Sequence, residues 1–282
     1  MRSLCEVPVT LLQAFVLGIV QGATDFLPIS SSGHLVLVPW LLGWRFDPRV
    51  AFVFDVLVQL GTLAAVIAFF WRDLVSLVRA ALAGLVQRRP LATAEARLAW
   101  LIAVATVPAA LAGVLFKDAV ERAFASPATV SAFLLITAAL LYAGERLGRP
   151  RRDLRSLTVT DALWIGLAQA LALLPGVSRS GATMAGGLGR GLHRREAARF
   201  SFLMSVPVFL GAGLAATRDL AATPHALTLA PPLAVGFVTA AIVGYLAIRW
   251  LLAYLARRPL TPFAVYCLLV GVAGLLMSGF RG

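Results

Sequence analysis

The chain carries the segment LGIVQGATDFLPISSSGH at residues 17–34 and a second version of it, IGLAQALALLPGVSRSGAT, at residues 165–183. A shift of 148 positions superimposes the two without a gap, so that Gln21 falls on Gln169. In each copy an apolar segment runs into a Pro/Gly break, then a Ser-rich turn, then a second apolar segment. Broken hairpins of this kind mark binding sites in membrane proteins that are built from repeats. The pattern predicts two related halves, each with a polar tip.

Composition indicates a membrane protein. Hydrophobic residues make up 60% of the 282 residues and charged residues only 13%, which leaves too little polar surface to coat a soluble globule. The net charge of +12 could indicate a nucleic-acid ligand, but 24 of the 25 cations are Arg and most lie in short connections, where they orient membrane proteins. We therefore expect membrane lipids as surroundings and no nucleic-acid partner. The oligomeric state, including a homodimer, stays open.

The expected fold is an all-α polytopic membrane protein, with one integral membrane domain over residues 1–282. Two internal repeats cover roughly 9–144 and 157–280, and each begins with a re-entrant helix hairpin. After the first tip only residues 35–43 precede a charged connection, and nine helical residues reach about 14 Å, against a hydrocarbon core of about 30 Å. That arm must return to the side from which it came. The six expected full spans are residues 50–71, 98–116, 128–144, 200–217, 233–255 and 261–280.

Arginine-rich connections predict the orientation of the chain, because such connections stay in the cytoplasm. The expected cytoplasmic connections are 72–97, 145–157, 190–199 and 256–259, and the expected outer connections are 117–127 and 218–231. The first hairpin then enters from outside and the second from inside. The two repeats are therefore expected to be inverted, with tips that meet near the midplane and with both termini outside.

Ionisable residues inside apolar segments are costly, and each is by default a functional hypothesis. They are Asp25, His34, Asp55, Asp161, Arg179 and Arg249. Arg249 can extend its side chain to the cytoplasmic interface. Asp161 is explained as an N-cap or first-turn acid of a helix. The other four remain candidates for function.

The second tip places Arg179 between Ser178 and Ser180, at the start of a helix. Free backbone N–H groups, hydroxyls and a guanidinium fork form an anion site suited to phosphate oxygens. The alternative is a Ser-capped helix whose Arg pairs with a carboxylate elsewhere, since a buried Arg needs a partner.

The first tip has the same construction, with Ser30, Ser31 and Ser32 before His34. Any one of these serines could simply be the N-cap of the following helix. His34 is either an interfacial histidine without a special role or a proton carrier, for which its ordinary pKa is suited.

Gln21 and Asp25 lie one helical turn apart and face the same tip. An amide oxygen and a carboxylate suit a hard divalent cation, Mg²⁺ or Ca²⁺, with phosphate oxygens and water completing the shell. The pair alone is weak evidence for a metal site. The two neighbouring anion sites strengthen the metal hypothesis, because a metal would offset the charge of a diphosphate.

These segments resemble a known family. The motifs LGIVQGATDFLPISSSGH and LLPGVSRSGAT are similar to the two signature motifs of the bacterial undecaprenyl-diphosphate phosphatases of the bacitracin-resistance type. Three further segments, FDVLVQLGTLAAV, FSFLMSVPVFLGAG and LTPFAVYCLLVG, extend the resemblance over nearly the whole chain. The resemblance implies a multi-pass enzyme of the bacterial inner membrane, with its active site facing the periplasm or exterior. It would hydrolyse undecaprenyl diphosphate to the monophosphate and so recycle the lipid carrier of cell-wall synthesis.

The resemblance also implies roles for single residues. The family's acidic motif corresponds to Gln21 and Asp25, its Ser-rich turn and histidine to Ser30, Ser31, Ser32 and His34, and its phosphate-binding motif to Ser178, Arg179, Ser180 and Thr183. The chain departs from the family at Asp25, where Glu is usual, and the shorter side chain changes the reach toward a metal.

The combined hypothesis is phosphoryl transfer by positioning and charge neutralisation. Arg179 holds the terminal phosphoryl group, Ser31 is the candidate nucleophile, and His34 or Asp25 handles its proton. Water activated by the metal or by His34 is the alternative nucleophile. Inverted repeats with broken helices also describe secondary transporters of an anionic or lipid-phosphate substrate, and a scaffold without a ligand is a third reading.

Overall fold

The computed structural model describes residues 9–46, 48–124, 126–221 and 230–281. Within these ranges every regular element is helical and no strand forms. The α-helices are α1 (Leu11–Phe26), α2 (Ser31–Leu42), α3 (Pro48–Phe69), α4 (Trp71–Val86), α5 (Ala94–Leu115), α6 (Lys117–Phe124), α7 (Pro127–Leu147), α8 (Val159–Leu171), α9 (Arg179–Gly189), α10 (Arg194–Ala221), α11 (Ala230–Leu255) and α12 (Thr261–Arg281). A 3₁₀ turn, Leu154–Ser156, precedes α8.

The spanning helices confirm a polytopic membrane protein. Five helices of the described part, α5, α7, α10, α11 and α12, are long and apolar enough to cross a membrane, and the bent pair of α3 and α4 makes a sixth if it counts as one span. Large apolar side chains point outward from these helices, among them Leu111, Leu210, Ile242 and Leu269. Exposure of such a surface to water would be unfavourable, whereas contact with the lipid hydrocarbon is not.

The connection expected at residues 72–97 is largely helical, so its interpretation as a loop is wrong, while its cytoplasmic location stays a prediction. The chain bends by 78° after α3 and continues as α4. Apolar and basic residues recur along α4 at helical spacing. The helix is buried at Leu77 and exposed at Trp71 and Leu82. A salt bridge of 2.7 Å between Arg199 Nη2 and Asp73 Oδ1 ties α4 to α10. The short outer connection at 117–127 is also partly helical, because α6 lies within it.

Two short hairpins, α1–α2 and α8–α9, stand apart from the spanning helices. Their second arms, α2 and α9, have 12 and 11 residues. A 12-residue helix is about 18 Å long, well short of the hydrocarbon core. Ser30 Oγ accepts from the Gly33 N–H at 3.2 Å, and Ser178 Oγ accepts from the Gly181 N–H at 3.0 Å. Both hairpins therefore turn at a serine N-cap, at equivalent positions of the two repeats.

Small residues let the first arm of each hairpin lie against a spanning helix from the other half. A Cβ added to Gly22 of α1 would lie 2.8 Å from the Ala240 carbonyl oxygen of α11. A Cβ added to Gly166 of α8 would lie 2.5 Å from the Ala105 carbonyl oxygen of α5. The two halves thus exchange contacts reciprocally, as inverted repeats would, and the inverted repeat itself stays a prediction.

We predict that Gly22→Leu destabilises the protein, because the close approach of α1 and α11 leaves no room for a side chain. Overpacking of this kind costs about 1–3 kcal/mol. Gly279→Leu is the matched control, because a Cβ there meets nothing within 4 Å. Thermal unfolding in detergent should show a lower midpoint for Gly22→Leu only, and equal midpoints would contradict the packing of α1 on α11.

We predict that reporters fused after Pro90 or Arg152 report a cytoplasmic location, and that a reporter inserted near Ala222 reports the outside. Ala222 itself lies outside the described residues. The Arg-rich connections supply the physical reason, since they resist translocation. An external signal from the 145–157 connection would contradict the inverted orientation of the hairpins.

Candidate active site

The two hairpin tips contact each other. Ser180 Oγ donates to the Leu27 carbonyl oxygen at 3.2 Å, and the Gly176 N–H donates to Ser32 Oγ at 3.5 Å. Each tip thus satisfies polar groups of the other. The predicted contact of the tips is confirmed, and their position near the midplane stays a prediction.

Thr137 of α7 holds the second tip in place. Its Oγ1 donates to the Gly176 carbonyl oxygen at 2.8 Å and accepts from the Ser178 N–H at 2.9 Å. Gly176 has φ +102°, and a Cβ there would lie 2.3 Å from the Val130 carbonyl oxygen. Glycine is therefore required at this position for both its backbone angle and its lack of a side chain.

Asp25 lies at the centre of the candidate site and is only 5% exposed. Its Oδ1 lies 3.4 Å from Arg179 Nη2 and accepts a hydrogen bond of 3.4 Å from Ser31 Oγ. One carboxylate oxygen therefore links the first tip to the second. The other oxygen, Oδ2, is buried without a hydrogen-bond partner among the described residues.

Arg179 is held from a third side by α10. Its Nη1 donates to the Ser201 carbonyl oxygen at 3.3 Å, and its Cζ lies 4.6 Å from the centroid of the Phe209 ring. This is a cation–π distance. Its Nε is buried and makes no hydrogen bond within the part of the chain that is described. Arg179 thus pairs with a carboxylate, as the alternative reading required, yet keeps one donor for a ligand.

The hydroxyls predicted to bind phosphate are mostly engaged within the protein. Ser30 and Ser32 lie 3.3 Å apart between their Oγ atoms, and Ser178 and Ser180 lie 3.2 Å apart. Thr183 Oγ1 donates to the Arg179 carbonyl oxygen at 2.7 Å. These contacts shape the tips, and direct phosphate binding by these five residues stays a prediction.

His34 has a partner at each ring nitrogen. Its Nδ1 lies 2.7 Å from the Ser30 carbonyl oxygen, and its Nε2 lies 2.8 Å from the Tyr266 hydroxyl of α12. Ser31 donates to Asp25 instead. Of the two proton acceptors proposed for Ser31, Asp25 is the one in contact with it.

A metal at Gln21 and Asp25 would find few protein ligands. Gln21 is buried, and its Nε2 donates to Thr62 Oγ1 at 3.4 Å, which leaves its amide oxygen as a possible ligand. The described residues contain no group of three or more His, Cys, Asp or Glu side chains that could hold a metal. The unpartnered Asp25 Oδ2 nevertheless fits a hard cation whose remaining ligands are phosphate and water.

The remaining ionisable residues fall outside the tips. Asp161 lies in the first turn of α8, forms a capping box with Thr158, and pairs with Arg152 at 2.8 Å and with Arg190 at 2.5 Å. Its expected structural role is confirmed. Arg249 is exposed, as expected, and Asp55 is half-buried in α3.

Sequence reasoning missed the site residues that come from the spanning helices. They are Thr62, Thr137, Ser201, Phe209 and Tyr266. All of them except Thr137 lie in segments already noted for their resemblance, but nothing in those segments indicates which side chain turns toward a tip.

Comparisons with known proteins identify the family of the chain. The family model described as bacitracin resistance protein BacA matches residues 14–273. A protein of Rubrobacter xylanophilus is 48% identical over 269 residues, which cover 95% of this chain and 98% of the relative. A protein of Moorella thermoacetica is 46% identical, covering 96% and 98%, and one of Chlorobium phaeovibrioides is 45% identical, covering 95% and 97%. All three relatives are named undecaprenyl-diphosphatase.

The match extends over both hairpins and all the spanning helices between them. We conclude that this chain belongs to the BacA family of bacitracin resistance proteins.

Proposed function

We propose that this protein is an undecaprenyl-diphosphatase. It hydrolyses the terminal phosphate of undecaprenyl diphosphate and gives undecaprenyl phosphate and inorganic phosphate. The observation that carries the proposal is the contact of Asp25 Oδ1 with both the Ser31 hydroxyl and the Arg179 guanidinium, each at 3.4 Å. The names of the relatives support a phosphatase over the secondary transporter that the repeats alone left open.

Arg179 binds the terminal phosphoryl group in this proposal. Its buried Nε lacks a partner, and a phosphate oxygen is the acceptor that such a donor needs. Ser201 and Phe209 keep the guanidinium plane fixed, so that little orientational freedom is lost when phosphate binds. Hydroxyls of Ser30, Ser32, Ser178, Ser180 and Thr183 would complete the polar surroundings of the phosphate.

Ser31 is the nucleophile in this proposal. Its Oγ forms a bond to the terminal phosphorus while the bond from that phosphorus to the bridging oxygen breaks, and its proton passes to Asp25 Oδ1. Undecaprenyl phosphate leaves with the bridging oxygen as its phosphate anion. Water then attacks the phosphoserine, and the bond from phosphorus to Ser31 Oγ breaks and releases inorganic phosphate. Asp25 returns its proton to Ser31 Oγ, and His34 can accept the proton of the water. Direct attack by water, with Ser31 only binding, is the competing route.

A divalent cation, Mg²⁺ or Ca²⁺, belongs to the proposal as the cofactor. Asp25 Oδ2 and the amide oxygen of Gln21 would hold it. When bound, it would neutralise charge on the diphosphate. Asp25 supplies the only carboxylate of this pair, so the affinity for the ion depends chiefly on this residue.

The proposed location is the bacterial inner membrane, with the site open to the periplasm or exterior. Support comes from the Arg-rich connections, which would leave the first hairpin entering from outside. The polyprenyl chain would stay in the lipid while only the diphosphate enters between the tips. Such an arrangement needs no passage of the lipid tail through the protein core.

We predict that the purified protein releases phosphate from undecaprenyl diphosphate in detergent and that Arg179→Lys lowers the turnover at least about tenfold. Lysine keeps the charge but loses the planar fork and its cation–π contact with Phe209. Arg249→Lys is the matched control, because Arg249 is exposed on α11, and it should keep full activity. Full activity of Arg179→Lys would mean that the residue supplies only a positive field, and no release by the wild type would refute the proposed function.

We predict that Asp25→Asn raises the metal concentration needed for half-maximal activity, because two neutral amides bind a hard dication poorly. Asp25→Glu should be tolerated, and Gln21→Glu should lower the metal midpoint. Titrations of Mg²⁺ and Ca²⁺ at fixed pH measure the effect. An unchanged midpoint in Asp25→Asn, with activity lost at every metal concentration, would remove Asp25 from the metal site and leave it a role in proton transfer.

A further inference from the structure

Tyr266 joins the site from α12, a helix that is an arm of neither hairpin. Its hydroxyl lies 2.8 Å from Nε2 of His34. The two rings are nearly parallel, at 13°, with centroids 5.7 Å apart. Both the hydrogen bond and the ring contact therefore fix the orientation of the imidazole.

The partners of His34 also determine its tautomer. Nδ1 lies 2.7 Å from the Ser30 carbonyl oxygen, which can only accept a hydrogen bond. Nδ1 of the neutral ring therefore carries the hydrogen, and Nε2 is the acceptor. The Tyr266 hydroxyl must then donate to Nε2.

A strained backbone supports the same arrangement. Ser30 has φ +72°, in the region that favours glycine. Its carbonyl oxygen accepts both the His34 N–H at 3.2 Å and the His34 Nδ1–H at 2.7 Å. Residues in sparsely populated backbone regions persist where their surroundings hold them, commonly at active sites.

We propose that Tyr266 is a positioning residue for His34. Its hydroxyl holds the basic Nε2 of the neutral ring toward α12, while the Ser31 hydroxyl is left to Asp25. His34 thus accepts a proton from the attacking water of the second step and does not serve the nucleophile. This inference rests on the proposed phosphatase function, because it assigns the roles of two proton carriers in that reaction.

The kinetic test uses Tyr266→Phe in the full-length protein, which keeps the ring and removes only the hydroxyl. Turnover should fall about tenfold with KM changed less than about twofold, since the lost hydrogen bond orients a proton carrier and does not bind substrate. In a His34→Ala background the same change should cause no further loss. Tyr254→Phe is the matched control, because its hydroxyl donates to the Pro259 carbonyl oxygen at 3.2 Å, away from the tips, and it should keep wild-type turnover.

A second measurement does not depend on activity. In ¹⁵N-histidine spectra, the resonance that disappears in His34→Ala should show the Nδ1–H tautomer in the wild type. Its Nε2 signal should move downfield in Tyr266→Phe, because the nitrogen loses its donor. Unchanged spectra, unchanged turnover, or an equal loss in the His34→Ala background would each overturn the proposal. Absence of phosphate release by the wild type and by Tyr254→Phe would refute the phosphatase function instead, and the spectra alone would then decide the tautomer and the contact.

Discussion

A buried carboxylate and a buried guanidinium are each too costly to remain alone. The structure meets this constraint by bringing Asp25 from one hairpin to Arg179 of the other, 3.4 Å apart. Each hairpin therefore supplies the counter-charge for the buried charge of the other. The pairing is incomplete, because Asp25 Oδ2 and Arg179 Nε have no hydrogen-bond partner among the described residues. The ion pair between the two tips therefore leaves Arg179 Nε for a phosphate oxygen and Asp25 Oδ2 for a cation.

The surrounding structure keeps the two tips within reach of each other. Glycines of α1 and α8 let both first arms lie tightly on spanning helices of the opposite half. The tips exchange hydrogen bonds, and Thr137 fixes the backbone of the second one. Catalysis of phosphoryl transfer depends mainly on positioning and on charge. The contact between the two hairpin tips supplies both.

The sequence was informative where the constraint is local. Serine N-caps, short second arms and costly ionisable residues can be recognised from a few neighbouring residues, so the tips, Asp25 and Arg179 were predicted. Helix α4 was missed because its arginines resemble those of a connection, although they recur at helical spacing. The contact of His34 with Tyr266 joins residues 232 positions apart, and no local pattern indicates it. Thr137 was missed for the same reason, since its hydroxyl acts on a backbone 39 positions away.

The central claim is that Asp25 and Arg179 act as one unit formed by two hairpins. A double-mutant cycle of single-turnover phosphate release tests it most directly, with Asp25→Asn, Arg179→Gln and the double variant measured at saturating metal. Residues that act as a unit are strongly non-additive, so the account predicts that the double variant loses little more than the more damaged single variant. A loss in the double variant equal to the product of the two single losses would contradict it.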